Sequence, residues 1–151
     1  MYQRILVPLD GSKLAECALD HLKGMAREKM VGEVTLLNVV NVSLMGFTEY
    51  PGPVNIAAIR ENLFAESRKY LADVESRLAA EGIKVKSVSL EGARPADAIS
   101  EYGRKNGVDL IIIATHGYTG FKKLMLGSVA LGVLHESPIP VLLIRPESCR
   151  K

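Results

Sequence analysis

Ile111-Ile-Ile-Ala-Thr-His-Gly-Tyr-Thr-Gly-Phe-Lys-Lys-Leu-Met-Leu-Gly-Ser128 runs from an apolar strand through a glycine turn and a basic linker to a second glycine that opens a helix. A chain builds a phosphate site in this way. Gly117 can adopt positive φ and let a ligand approach the backbone closely. Gly127 and Ser128 put N–H groups at a helix N-terminus, where the dipole favours an anion. The spacing is not that of a Walker loop, because no lysine follows Gly127. Nor is it the dinucleotide fingerprint, because G-x-G-x-x-G is absent.

Outward from this stretch, strand and helix patterns alternate. Residues 5–9 read as a short buried strand, followed by the turn Asp10-Gly-Ser12 with Ser12 as a helix N-cap. Leu14, Ala18, Leu22 and Met25 recur at helical spacing and predict a helix over 13–29. Residues 34–40 are apolar nearly throughout, as in a parallel strand covered on both faces. A long loop, 41–57, holds Gly46, Pro51, Gly52 and Pro53 and reads either as a lid or as a surface connection. Ile59, Leu63, Tyr70, Leu71, Val74 and Leu78 mark a long helix that stops at Gly82. Residues 85–90 alternate lysine and serine with valine, which suits a strand near a sheet edge. Pro95 stands where a helix begins, 108–114 is the most hydrophobic strand, 128–136 is a fourth helix, and 141–144 is a last strand. Five strands with helical crossovers imply an α/β fold. The expected form is a five-stranded parallel sheet with helices on both faces, in the Rossmann-like order 3-2-1-4-5. Ligands of such sheets bind beyond the carboxyl ends of the strands, where the strand order reverses. Asp10 and the turn at Ala114 to Gly117 would face one crevice there.

Composition narrows the function. A chain of 151 residues is one domain's worth, and 1–151 reads as a single domain with a full core. Its 48% apolar content excludes a disordered chain. A net charge of +2 points to neither nucleic acid nor membrane as partner, and the absence of tryptophan argues against base stacking. No apolar run reaches the roughly 18 residues of a membrane span, and the N-terminus does not read as a signal peptide. The cytoplasm is the expected location. Cys17 and Cys149 match no metal spacing. Cys17 reads as a small hydrophobe in the first helix, and Cys149 as an exposed, reduced thiol.

Taken together, the chain resembles the universal stress protein family, of the single-domain, ATP-binding type with an adenine nucleotide alpha hydrolase-like fold. The resemblance rests on Arg4-Ile-Leu-Val-Pro-Leu-Asp-Gly-Ser12, Leu36-Leu-Asn-Val39, Gly92-x-x-Pro95, Asp109-Leu-Ile-Ile-Ile-Ala-Thr-His-Gly117, Leu126-Gly-Ser-Val129 and Pro138-Ile-Pro-Val-Leu-Leu-Ile144. ATP-binding members carry a glycine, two residues, a glycine, nine residues, then glycine with serine or threonine. Gly117 and Gly127-Ser128 fit, and Ala114 stands in place of the first glycine. The resemblance implies that Pro8, Leu9 and Asp10 line the adenosine side, with Asp10 near the ribose or a hydrated metal. It implies that Val39 offers backbone groups to the adenine edge and that Ile113, Ala114, His116 and Gly117 flank the nucleotide. Gly127, Ser128 and Val129 would hold phosphates, Mg2+ would be bound through those phosphates rather than by protein ligands, and a homodimer would form through Val141–Ile144.

The residues leave several of these roles open. Asp10 suits a ligand contact or the stabilisation of the following helix. His116 suits a phosphate donor or a plain turn residue. Ser128 can donate to phosphate or cap its helix. Lys122 and Lys123 can steer an anion or merely be solvated, and Tyr118 reads as loop packing. No metal-ligand cluster surrounds His21 or His135, and Ser12 lacks a nucleophile-elbow context. No catalytic residue is assigned. Only Asp10 and His116 are candidates for positioning an attacking water, so hydrolysis is expected to be slow or absent. Three functions therefore compete: an ATP-binding regulatory protein of the stress response, a slow ATP hydrolase, and a dimeric interaction protein of the same fold that binds no nucleotide.

Overall fold

Five apolar runs form one parallel sheet in a computed structural model that describes residues 1–42, 55–116 and 126–145. The strands are β1 (Tyr2–Pro8), β2 (Val31–Val40), β3 (Lys84–Glu91), β4 (Leu110–Ala114) and β5 (Val141–Ile144), in the order β3-β2-β1-β4-β5. The helices are α1 (Cys17–Arg27), α2 (Ile56–Ala79), α3 (Pro95–Lys105) and α4 (Ser128–Glu136). The expected strand order is the observed one, and the last helix and strand have the expected bounds. The expected loop 41–57 lies mostly outside the described residues, as do Gly117, Tyr118, Lys122, Lys123 and Cys149.

Alternating side chains send each strand's apolar groups to both faces of the sheet. One face buries Ile5, Val7, Val34, Leu36 and Ile112 beneath Leu19 and Leu22 of α1 and Leu71, Val74 and Leu78 of α2. The other buries Leu6, Leu37, Ile111 and Ile113 beneath Ile99 of α3 and Ala130 and Val133 of α4. Each fully buried leucine or isoleucine is worth about 2 kcal/mol. β4 is buried along its whole length.

Several element ends differ from the sequence reading. α1 starts at Cys17, four residues after the expected start. Asp10 and Ser12 explain the delay: Ser12 Oγ accepts from Ala15 N at 3.1 Å, and Ser12 O accepts from Glu16 N at 3.3 Å, so a capped turn precedes the helix. Side chains of this kind offer the backbone partners that compete with helix. Cys17 is buried in the core, as expected of a small hydrophobe.

α2 is longer than the strands beneath it. Its buried residues, Ser67, Leu71, Val74 and Leu78, all lie in its second half, at spacings of four, three and four. Asn55 caps its start by accepting from Ala58 N at 3.1 Å.

Candidate functional site

A proline opens the crevice. Arg4 O accepts from Asp109 N at 2.9 Å, and Leu9 N donates to Leu37 O at 2.8 Å. Backbone groups alternate edges along a strand, so from Arg4 onward even residues of β1 face β4 and odd ones face β2. Pro8 falls on the β4 edge and has no N–H to give. The β1–β4 pairing stops at Leu6 and Ile111, while β1–β2 continues to Pro8–Leu37 and β4–β5 to Ala114–Ile144. The two middle strands therefore part at their carboxyl ends, at the point where strand order reverses.

The same alternation places backbone groups on the crevice. Val40 O accepts from Gly92 N at 3.0 Å and faces β3. Val39 therefore presents its N–H and C=O toward β1, beyond the last β1–β2 pair. Ile111 N and Thr115 N donate to Pro140 O and Ile144 O, both at 2.9 Å, so odd residues of β4 face β5. Ala114 then faces β1, past the end of the β1–β4 ladder.

Asp10 leaves β1 exposed, in a tight turn. Its Oδ1 accepts from Ser12 N at 2.9 Å and from the Ser12 hydroxyl at 2.5 Å, and Gly11 takes the φ of 87° that the turn needs. On the far side of the crevice His116 Nδ1 lies 2.9 Å from Thr115 Oγ1. Its Nε2 is buried and has no hydrogen-bond partner among the described residues. A buried orphan of this kind calls for a ligand or water.

α4 begins beside it. Gly127 is the N-cap, with no side chain to satisfy the first-turn donors, and the helix ladder starts with Leu131 N on Gly127 O at 2.9 Å. The N–H groups of Ser128, Val129 and Ala130 thus have no intrahelical acceptor. Gly127 is different: its own N–H donates to Thr115 O at 2.6 Å. A Cβ on Gly127 would sit 3.0 Å from that same oxygen. Its φ of −61° suits any residue, so glycine is needed here for close approach to β4.

The structure thus gathers Asp10, Val39, Ala114, His116, Ser128 and Val129 around one crevice. Pro8 shapes it, and Gly127 locks the α4 start onto β4. Two expected residues offer little directly. Leu9 is buried with its N–H and C=O both engaged, and Ile113 is packed in the core under α4. Sequence reasoning missed Thr115, Asn38 and Ser67. Asn38 alone left a trace, as a polar residue inside the apolar run Thr35-Leu-Leu-Asn-Val-Val40. A recess lined by Asp20, His21, Gly24, Met25, Glu28 and Met30 lies at the opposite end of the sheet, by the start of β2. Among the described residues no group of three or more His, Cys, Asp or Glu could hold a metal, and no helix is long and apolar enough to cross a membrane.

Residues 1–145 match the universal stress protein family. This chain belongs to the universal stress protein family. Universal stress protein MJ0531 of Methanocaldococcus jannaschii is 34% identical over 145 residues, covering 96% of this chain and 83% of the relative. The solved structure of MJ0577 from the same organism superposes with a TM-score of 0.81 at 32% identity, covering 100% of this chain and 98% of that one. A family protein from Arabidopsis thaliana solved with AMP bound shares the fold, with a TM-score of 0.68 at 17% identity and coverage of 95% and 91%.

Proposed function

We propose that this universal stress protein binds ATP in the crevice between β1 and β4, with Mg2+ carried on the phosphates, and acts in the cytoplasm as a regulatory protein of the stress response. The observation that carries the reading is the set of backbone groups facing that crevice. Val39 supplies an N–H and a C=O for an adenine edge. Asp10 supplies a carboxylate for ribose hydroxyls. The first turn of α4 supplies N–H donors for phosphate oxygens, and no lysine is required there. The buried Nε2 of His116 gains a partner if a phosphate oxygen or its water shell lies against it. We propose binding with at most weak hydrolysis, because one Asp10 oxygen is already committed to Ser12.

The reading without nucleotide drew its force from Ala114. Among the described residues Lys29 is the only non-glycine with positive φ, so the backbone at Ala114 makes no demand for glycine. Titration calorimetry with ATP and Mg2+ tests the proposal. The native protein is expected to bind, and Asp10→Asn to bind about tenfold more weakly, the scale of a hydrogen bond to a charged group. No binding by the native protein overturns the proposal.

A further inference from the structure

We propose that Asn38 and Ser67 are positioning residues of the crevice: a hydrogen-bond relay from Ser89 through Ser67 and Asn38 to the Leu9 carbonyl sets the Asp10 carboxylate for the ribose. This rests on the ATP reading above.

The relay joins three elements. Asn38 Nδ2 donates to Leu9 O at 2.8 Å, Ser67 Oγ donates to Asn38 Oδ1 at 2.7 Å, and Ser67 and Ser89 hydroxyls are 2.7 Å apart. Its direction is forced. A carbonyl only accepts, so Asn38 turns its amide nitrogen to Leu9 and its oxygen to Ser67. Ser67 spends its one proton on that oxygen, so Ser89 must donate to Ser67. Every donor points toward Leu9.

The placement does not serve packing. Ser67 is only 7% exposed and is the first buried residue of α2, ahead of Leu71, Val74 and Leu78. A buried hydroxyl costs free energy unless it is bonded, and this one bonds across to β2 instead of along its own helix. The relay ends on the carbonyl of the peptide that joins Leu9 to Asp10. That peptide is planar, so fixing its C=O fixes the direction in which Asp10 leaves the strand. Leu9 N is held by Leu37 O, and the Asp10 carboxylate is held at its tip by Ser12. Asp10 is thereby oriented at both ends before any ligand arrives, which lowers the ordering cost of binding.

A double-mutant cycle read by ATP calorimetry separates positioning from general support of the fold. Ser67→Ala is expected to weaken ATP about threefold to tenfold, the scale of one buried hydrogen bond. In the Asp10→Asn background it is expected to change affinity less than about twofold, because the group it positions is gone. Its effect on the melting temperature should be the same in both backgrounds. Should Ser67→Ala fail to fold, Ser89→Ala at the head of the relay is read the same way, with a smaller loss. An equal loss in both backgrounds overturns the relay, as does no loss in the native one. In either case native binding and its dependence on Asp10 leave the ATP reading standing. A native protein that does not bind ATP overturns both.

Discussion

One methyl group separates this chain from the glycine pattern that the family resemblance implies for ATP binding. Ala114 ends β4 in register with Ile144 and is buried. Its N–H and C=O face the crevice, whereas its Cβ lies along the sheet normal, so the methyl need not intrude on a ligand that contacts the backbone. Ala114→Gly is therefore expected to leave ATP affinity within about threefold and to cost about 1 kcal/mol of stability through added backbone freedom. Calorimetry and urea unfolding measure the two. A variant that binds where the native protein does not would restore the reading without nucleotide. The positions of Asp10 and Ser128 at the end of one strand and the start of one helix were legible in the sequence, whereas Val39 was named only through the family resemblance. The role of Gly127 was legible only in part. A glycine before a serine announces a helix start, but the donation from Gly127 N to Thr115 O depends on how closely α4 approaches β4, which is a tertiary fact. The relay was illegible for the same reason: Asn38 is 29 residues from both Leu9 and Ser67, and Ser67 is 22 from Ser89.

Elements were read more surely than their ends. β3 was expected near an edge from its lysines and serines and is an edge strand. β1 begins at Tyr2, earlier than its apolar core suggests, because Gln3 N and Arg4 N are both held by the Asp109 carboxylate, at 2.8 and 3.0 Å. α3 and α4 show a conflict that periodicity hides. Glu136, at the end of α4, is held above the usual carboxyl range, first by a hydrogen bond with the Asp97 carboxyl that only a protonated form can make, then by desolvation and by the charge of Asp97. Arg94 and His135 act against the shift. A raised folded pKa gives stability that is fully present below the unfolded value and is lost as pH rises through the folded one. At neutral pH the pair is therefore a liability, and the C-terminal dipole of α4 adds to it. Glu136→Gln is expected to raise the melting temperature at pH 7, and the gain should shrink as the pH falls from neutral through the raised value and be gone by about 4, the ordinary range of a glutamate. Thermal melts across that interval decide it, and an offset independent of pH counts against the pairing.

At the scale of the molecule, the sheet has two edges and treats them differently. β3 is blunted: Lys84 and Lys86 stand exposed along it, each paired to Glu33 on β2 at 3.3 and 3.0 Å. Edge lysines discourage pairing with another chain. β5 carries no charge, and Leu142 at its centre is 36% exposed. Leu131 and Leu134, three residues apart on α4, are exposed at 42% and 45%. We propose that a second copy covers this edge in an isologous pair, with β5 against β5 about a two-fold axis. A four-residue strand alone is too small for the roughly 1,000 Å² that a stable interface buries, so the α4 leucines are expected to contribute. Leu142→Lys places a charge in each half of the contact, where the two ammonium groups are desolvated and repel. Because Leu142 is exposed in the single chain, the variant should still fold. Sedimentation at micromolar concentration is expected to show a native dimer and a Leu142→Lys monomer. A native monomer, or a dimer indifferent to the substitution, removes β5 as the interface.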